Sequence, residues 1–382
     1  MQIAHVTLDG GFPRYGIGLA VLALARAQAR LGHDVRLMVR DEHAAPGRDA
    51  AAAAGIELVG LARRRGLFGG RRAYRRQVRA ALRPDVDVVH VHTLVRMADW
   101  LLAPRARRGA PLVVTAHASD ELGPAASPAG DASPARARRH ARQARRVLTR
   151  ADAVVVPSRF MARLVREAHP RDTIHVIGHG PTDERAFARA PHGGFVVTAL
   201  ARFVPVKGLD LLVDAFALAF EGEPDARLVL AGDGPERRAL EARVARLGLT
   251  ARVEMPGYVE GDARASLLAR TDVVAVPSRG HYETFGLAAL DGRAAGAFVL
   301  VANGGALPER IEADGDAVAA GAGRLVGSAT TAAWAAALVA ARGDLTARAA
   351  AAEASDRVFA RNSWEASARG HEAVYRSVGR AR

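Results

Sequence analysis

Short apolar runs alternate with longer stretches rich in Ala, Leu and Arg from one end of the chain to the other. The runs are nearly all aliphatic and are too short for helices, which reads as buried strands of a parallel sheet separated by helices. In the first half the predicted strands are Gln2–Leu8, Asp34–Val39, Val86–Val91, Leu112–Ala116 and Ala153–Val156. A helix over about Gly18–Leu31 lies between the first two, stopped by Gly32-His33. The second half predicts strands at Phe195–Leu200, Arg227–Ala231, Arg252–Met255, Val273–Val276 and Ala297–Val301. Between the two sets, residues 178–194 are rich in Gly, Pro and His and read as a linker. A further helix is expected from about Asp356 to Ser377, with Trp364 and Tyr375 as core anchors. The expected divisions are an α/β domain over residues 1–180, a second over 193–355, and a C-terminal helix over 356–382 that can cross back to the first.

One segment returns. Ala151-Asp152-Ala153-Val154-Val155-Val156-Pro157-Ser158-Arg159 reappears as Thr271-Asp272-Val273-Val274-Ala275-Val276-Pro277-Ser278-Arg279. Each copy reads as a buried strand that ends at Pro-Ser, where the chain turns outward, and the echo agrees with two halves built alike.

Composition narrows the chemistry. With no cysteine, disulfides, thiolate metal sites and a cysteine nucleophile are excluded. The net charge of +14 is lopsided: residues 1–190 hold 32 Arg against 17 acids, while residues 191–382 hold 22 basic against 23 acidic groups. A basic first half suits an anionic small molecule or an anionic lipid surface. Nucleic acid is not expected, because no recognition helix, zinc finger or aromatic stacking set is present. The N-terminus runs straight into a strand pattern without a signal peptide, and no apolar run has the roughly 20 residues of a membrane span. The expected location is cytoplasmic, with a peripheral place at the inner face of the cell membrane as the variant the basic half allows. Its clearest basic segment is 63–83, where Arg71, Arg72, Arg75, Arg76 and Arg79 surround Tyr74, Val78 and Leu82 at four-residue spacing. That is the pattern of an interfacial helix, and equally of a surface helix packed on its own sheet.

The most informative stretch is Pro277-Ser278-Arg279-Gly280-His281-Tyr282-Glu283-Thr284-Phe285-Gly286-Leu287, running on to Asp291. It leaves the end of a strand and enters a helix, the place where open α/β sheets bind ligands. Amides of Phe285, Gly286 and Leu287 at the helix start can hold a phosphate. Glu283 and Asp291 are about two helical turns apart, so a ligand lying along the helix could meet both; the alternative is one acid complementing the helix dipole and the other solvated. The second element, Ala201-Arg202-Phe203-Val204-Pro205-Val206-Lys207-Gly208, follows the first strand of the second half. Lys207 is the only lysine in the chain. In a sequence that otherwise uses Arg, a compact ammonium here points to a demand for a point charge. Arg202 and Lys207 could clamp a diphosphate.

These segments, with Ala231-Gly232-Asp233-Gly234-Pro235, Pro256-Gly257-Tyr258 and Asn303-Gly304-Gly305-Ala306-Leu307-Pro308-Glu309, resemble glycosyltransferase family 4. The first half is similar more loosely, through the Gly16 loop, Gly32-His33-Asp34-Val35, Asp87–His92 and Thr115-Ala116-His117. The resemblance implies the GT-B fold, two Rossmann-like domains facing a deep cleft. It also implies retaining transfer of a hexosyl group from a nucleotide-diphosphate sugar to a lipid-linked, saccharide or small-molecule hydroxyl. Arg202, Lys207, the Phe285–Leu287 amides and the Gly16 backbone would bind the diphosphate. Glu283 would hold sugar hydroxyls, Asp291 the ribose and Tyr258 the base, with His117 near the transferred sugar. Glu283, His117, Lys207 and Arg202 would carry catalysis, with no metal and no cofactor beyond the donor substrate. Three positions depart from the family pattern: Asp291 stands for a Glu, Tyr15-Gly16 for a glycine pair, and Ala201 for a Gly. Residues Glu283–Leu290 are similar to actinobacterial phosphatidylinositol-mannoside mannosyltransferases, which leans the donor towards GDP-mannose over a UDP-sugar. An epimerase or phosphorylase on the same fold, and a non-catalytic nucleotide-sugar-binding protein, are the alternatives.

Overall fold

The computed structural model describes residues 1–7, 16–62, 69–95, 97–122, 134–183, 189–312 and 321–379. Two compact units result: Met1–Thr182 with Trp364–Arg382, and Asp183–Ser363.

The first unit is a wholly parallel sheet of β1 (Gln2–Val6), β2 (Asp34–Arg40), β3 (Glu57–Leu61), β4 (Val88–Val91), β5 (Leu112–Thr115), β6 (Ala153–Val156) and β7 (His175–Val176). Their spatial order is β3-β2-β1-β4-β5-β6-β7. Every residue of β4, β5 and β6 is buried, as expected of central strands covered on both faces. The order reverses between β1 and β4, whose register sets His5 beside His90. The helices are α1 (Gly16–Arg30), α2 (Asp41–Ala52), α3 (Gly69–Ala81), α4 (Met97–Leu101), α5 (Pro134–Arg150) and α6 (Arg159–Ala168).

The second unit repeats the plan with β8 (Phe195–Leu200), β9 (Ala226–Ala231), β10 (Val253–Gly257), β11 (Val273–Val276), β12 (Phe298–Ala302) and β13 (Gly323–Val326), ordered β10-β9-β8-β11-β12-β13. Its helices are α7 (Leu209–Ala219), α8 (Arg237–Arg246), α9 (Gly261–Ala269), α10 (Leu287–Ala294), α11 (Leu307–Ile311), α12 (Thr331–Gly343) and α13 (Leu345–Arg361). The reversal falls between β8 and β11.

The echoed segments are β6 and β11 with their flanks. Each carries an Asp just before the strand that accepts a backbone N–H from the neighbouring strand: Asp152 from Leu112 at 2.6 Å and Asp272 from Val196 at 2.9 Å. Each Asp is also paired with arginine, Asp152 with Arg107, and Asp272 with Arg348 and Arg189. The likeness therefore extends to how the sheets are fastened.

The expected helix over Asp356–Ser377 is two helices. The first, α13, ends at Asn362, whose amide donates to the Val358 carbonyl at 2.8 Å. The second, α14 (Trp364–Gly379), belongs to the first unit. Trp364 and Ala368 bury against Ala20, Ala23, Leu24 and Ala27 of α1, and the Trp364 indole donates to the Pro181 carbonyl at 2.8 Å.

The basic helix over 70–82 is α3. Val78 and Leu82 are fully buried and Tyr74 is half-buried. Gln77 exchanges two hydrogen bonds with the backbone of Ala62. The apolar stripe therefore packs on its own unit and is not presented as an interfacial face. Arg75, Arg76 and Arg79 are exposed, whereas Arg63–Arg65 and the side chains of Arg71 and Arg72 lie outside the described residues. Among the described residues no helix is long and apolar enough to cross a membrane.

Candidate active site

Loops from the C-terminal ends of β8, β11 and β12 meet at the point where the second sheet reverses its strand order, the usual ligand crevice of such a sheet. After β8 the chain makes a single helical turn at Pro205–Lys207 and a left-handed Gly208 (φ 65°) before α7. Gly208 lies against the Pro277 carbonyl so closely that a Cβ would approach it to 2.2 Å, so this position requires glycine. The Arg279 amide donates to the Val206 carbonyl at 2.7 Å, and the Arg279 guanidinium reaches Pro205 and Asp210. On the other side, the Ala306 amide donates to the Glu283 carbonyl at 2.7 Å, which is the work of the Asn303–Glu309 turn. Glu283 is thus fixed through its own backbone.

Its carboxylate receives two donors on one oxygen, Lys207 Nζ at 2.5 Å and Ser278 Oγ at 2.7 Å. Burial works against the charged form of Glu283. The adjacent Lys207 charge and the two hydrogen bonds outweigh it, holding the carboxyl below its ordinary value. The salt bridge with Glu283 uses one of the three donors that a lysine ammonium carries.

Arg202 sits on the loop just after β8, exposed and without an ion pair among the described residues. That loop is joined to the Gly232–Gly234 turn: Phe203 N donates to Asp233 O at 2.8 Å, and a Cβ on Gly232 would meet the Ala201 carbonyl at 1.8 Å. Gly232 in turn donates to Gly257 at 2.8 Å, which places half-buried Tyr258 at the end of β10 on the same rim. Gly286 (φ 87°) forms the turn into α10, so Leu287 opens the helix. Phe285 is buried, with the Arg310 guanidinium 4.3 Å from its ring centroid.

Two expectations change here. Glu283 lies in the loop before α10, so it and Asp291 do not share a helix. Asp291 has no exposed surface and is ion-paired with Arg264 of α9. The solvated alternative for Asp291 therefore falls, and its carboxylate fastens α9 to α10. Sequence reading also missed Ser278 and Arg279, although the echo with Ser158 and Arg159 marked both positions.

In the first unit, Gly16 opens α1 with φ 48° and open space at its Cβ. His117, just beyond β5, is 7% exposed and belongs to a histidine cluster that sequence reading did not foresee. Ring nitrogens of His5, His90 and His92 lie within 4.8 Å of one another, close enough in principle to hold a metal ion. The signal was present as His90-x-His92 at the end of one strand and His5 on another, but only the β1–β4 register brings them together.

Burial, the largest influence on each, holds His5, His90, His92, His117 and His371 below the ordinary 6.5, with His5 and His371 at about 4 and His117 at about 3. The unfolded chain takes up these protons near 6.5, the folded chain only at lower pH. Their contribution to stability is therefore complete above 6.5 and is lost as pH falls through the folded values. Melting temperature is expected to drop steadily below about pH 6. A flat melting temperature between about pH 7 and pH 4.5 would contradict the buried placement.

Two family profiles match the chain: "Glycosyltransferase Family 4" over residues 15–185 and "Glycosyl transferases group 1" over residues 181–341. A D-inositol 3-phosphate glycosyltransferase of Jonesia denitrificans is 32% identical over 253 residues, covering 58% of this chain and 56% of the relative. A GDP-mannose-dependent alpha-(1-6)-phosphatidylinositol dimannoside mannosyltransferase of Mycobacterium tuberculosis is 41% identical over 114 residues, covering 30% of this chain and 28% of the relative. The chain thus spans little more than half the length of the first relative and about a quarter of the second. Among solved structures, HepE of Anabaena in complex with UDP matches 99% of this chain and 100% of its own, with a TM-score of 0.79 at 20% identity. Sucrose-phosphate synthase of Thermosynechococcus elongatus matches 100% of both chains, with a TM-score of 0.80 at 22% identity. At these identities the likeness is one of fold. With two adjoining profiles running from residue 15 to residue 341 and two parallel Rossmann-like sheets beneath them, the chain belongs to the family 4 glycosyltransferases of GT-B architecture.

Proposed function

We propose that the chain transfers a hexosyl group from a nucleotide-diphosphate sugar to a hydroxyl acceptor, with retention of anomeric configuration and without a divalent metal. The observation that carries this reading is the Lys207–Glu283–Ser278 group set beside the start of α10 at the strand-order reversal. Arg202, Lys207 and the amides leading into α10, at Phe285, Gly286 and Leu287, stabilise the charge that builds on the departing diphosphate. Glu283 accepts hydrogen bonds from sugar hydroxyls, and Tyr258 lies along the base. As the glycosidic bond breaks, the sugar becomes oxocarbenium-like. The acceptor hydroxyl then bonds to the anomeric carbon from the side of the leaving group, and its proton passes to a phosphate oxygen of that group. No protein carboxylate is needed as nucleophile, unlike the paired acids of retaining glycosidases.

The donor is GDP-mannose or a UDP-sugar. The Mycobacterium tuberculosis relative is named for the first, and the Anabaena structure holds UDP. Thermal shift against UDP-, GDP-, ADP- and TDP-sugars separates them, since a ligand that binds only the native state raises its melting point. Binding without turnover on any acceptor would reduce the chain to a nucleotide-sugar-binding protein, and conversion of the free donor without an acceptor would make it an epimerase. Activity is expected to persist in excess chelator, because side-chain and backbone charges replace the metal. Loss of turnover that Mg²⁺ or Mn²⁺ restores would overturn that part.

A further inference from the structure

The buried histidines form an ordered hydrogen-bond chain. His5 Nε2 meets Gln28 Oε1 at 2.6 Å, and His5 Nδ1 meets His92 Nε2 at 2.9 Å. His92 Nδ1 then meets His117 Nε2 at 3.0 Å. A branch leaves the other end of the Gln28 amide. Gln28 Nε2 donates to Tyr375 Oη at 3.2 Å, Tyr375 Oη meets His90 Nδ1 at 2.7 Å, and His90 Nε2 meets Thr115 Oγ1 at 2.7 Å.

The direction of the protons follows from the root. An amide oxygen only accepts, so His5 must carry its proton on Nε2. A neutral imidazole has one N–H, which makes His5 Nδ1 an acceptor and His92 Nε2 a donor. The same step makes His92 Nδ1 an acceptor and His117 Nε2 a donor. Burial keeps the rings neutral, with His5 at about 4 and His117 at about 3, so the one-proton rule holds at neutral pH. The branch agrees: Tyr375 accepts from Gln28, donates to His90 Nδ1 and leaves His90 Nε2–H for Thr115. The reverse orientation of the Gln28 amide would send every proton the other way, so this one residue sets the polarity. His117 is further held flat by stacking on His179, with ring centroids 5.6 Å apart, and His179 stacks on Trp364 at 5.3 Å.

We infer that Gln28, His5 and His92 are positioning residues that lock His117 in its Nε2–H tautomer, leaving its Nδ1 lone pair to accept a hydrogen bond from a ligand hydroxyl. The ligand half of this statement rests on the proposed function; the tautomer half does not. The arrangement is favoured over a metal centre because each ring nitrogen of His5, His90 and His92 already has a hydrogen-bond partner at 3.0 Å or less.

The test is two-bond ¹H–¹⁵N correlation spectroscopy on the full chain with ¹⁵N-labelled histidine, at neutral pH and without nucleotide sugar. His5, His92 and His117 should all show the Nε2-protonated pattern. Gln28→Leu, which removes the root acceptor, should turn His117 into a mixture of tautomers. Gln28→Glu, which keeps an acceptor facing His5 but loses the donor facing Tyr375, should keep the Nε2–H pattern on His5, His92 and His117 while His90 reverses. A proton on Nδ1 of His117 in the wild type, or an unchanged His117 in Gln28→Leu, would overturn the inference. So would a stoichiometric metal ion whose chelation changes the histidine signals. The wild-type spectrum decides even if Gln28→Leu does not fold. An inactive chain could still show the locked tautomer, so failure here is distinct from failure of the proposed function.

Discussion

Replacing Lys207 with Ala is expected to lower kcat/KM by roughly two orders of magnitude, the usual cost of losing a charge contact to a leaving group. The pairing with Glu283 adds a second consequence. Glu283 is 14% exposed at its side chain, so without Lys207 its charge is left with Ser278 as its one hydrogen-bond donor among the described residues. Stability should fall by about 1–3 kcal/mol as a result. Glu283→Gln alone should show a comparable loss of turnover. The double variant Lys207→Ala/Glu283→Gln removes both charges and should recover most of the stability while recovering none of the activity. Steady-state kinetics with denaturant melts on the four proteins measure both couplings at once. A double variant as unstable as Lys207→Ala would mean that the pair does not matter to the fold. Near wild-type turnover in either single variant would remove the site assignment.

The second large effect is thermodynamic. Asp291→Ala leaves Arg264, 13% exposed at its side chain, next to an empty site between α9 and α10. Breaking a buried pair from one side typically costs about 3–5 kcal/mol, because the surviving charge has no compensation. Urea unfolding of the variant should show this loss at unchanged m-value. The expectation that Asp291 meets the ribose makes the opposite forecast, namely weaker nucleotide binding with stability intact. Measuring both on the same variant separates the two, and stability near wild type with impaired binding would restore the ribose role.

The central strands were legible because burial on both faces leaves nearly uninterrupted Val and Leu, as in Val88–Val91, Ala153–Val156 and Val273–Val276. Strands β3, β7 and β13 were not. All three are sheet edges, where Glu57, Gly60 or Arg324 can interrupt the apolar run at little cost and two residues can suffice. Lys207 and Glu283 were readable from residue type and loop context. The partnership between them was not, since 76 residues separate them and only the adjacency of β8 and β11 brings them together. The Arg264 partner of Asp291 was not legible for a related reason. Spacing places a residue on a helix but not its counter-ion, and Arg264 comes from a different helix. The histidine chain depends likewise on strand register, which periodicity does not encode.

The two copies of the strand–Pro–Ser joint differ in one respect. In the first unit Ser158 caps a helix that starts at the next residue, accepting from the Met161 amide. In the second, eight residues, Arg279–Gly286, intervene between Ser278 and the helix, and the hydroxyl turns to Glu283 instead. The acid-bearing loop is thus a detachable module on a joint that closes without it. Excising Arg279–Gly286 would convert the second joint into the first, while grafting those residues after Ser158 would ask whether a carboxylate can be planted on the other sheet. Descent from a doubled ancestor would need only this one insertion at the joint to give a plain strand–helix corner its acid, and protein engineers could travel the same route in either direction.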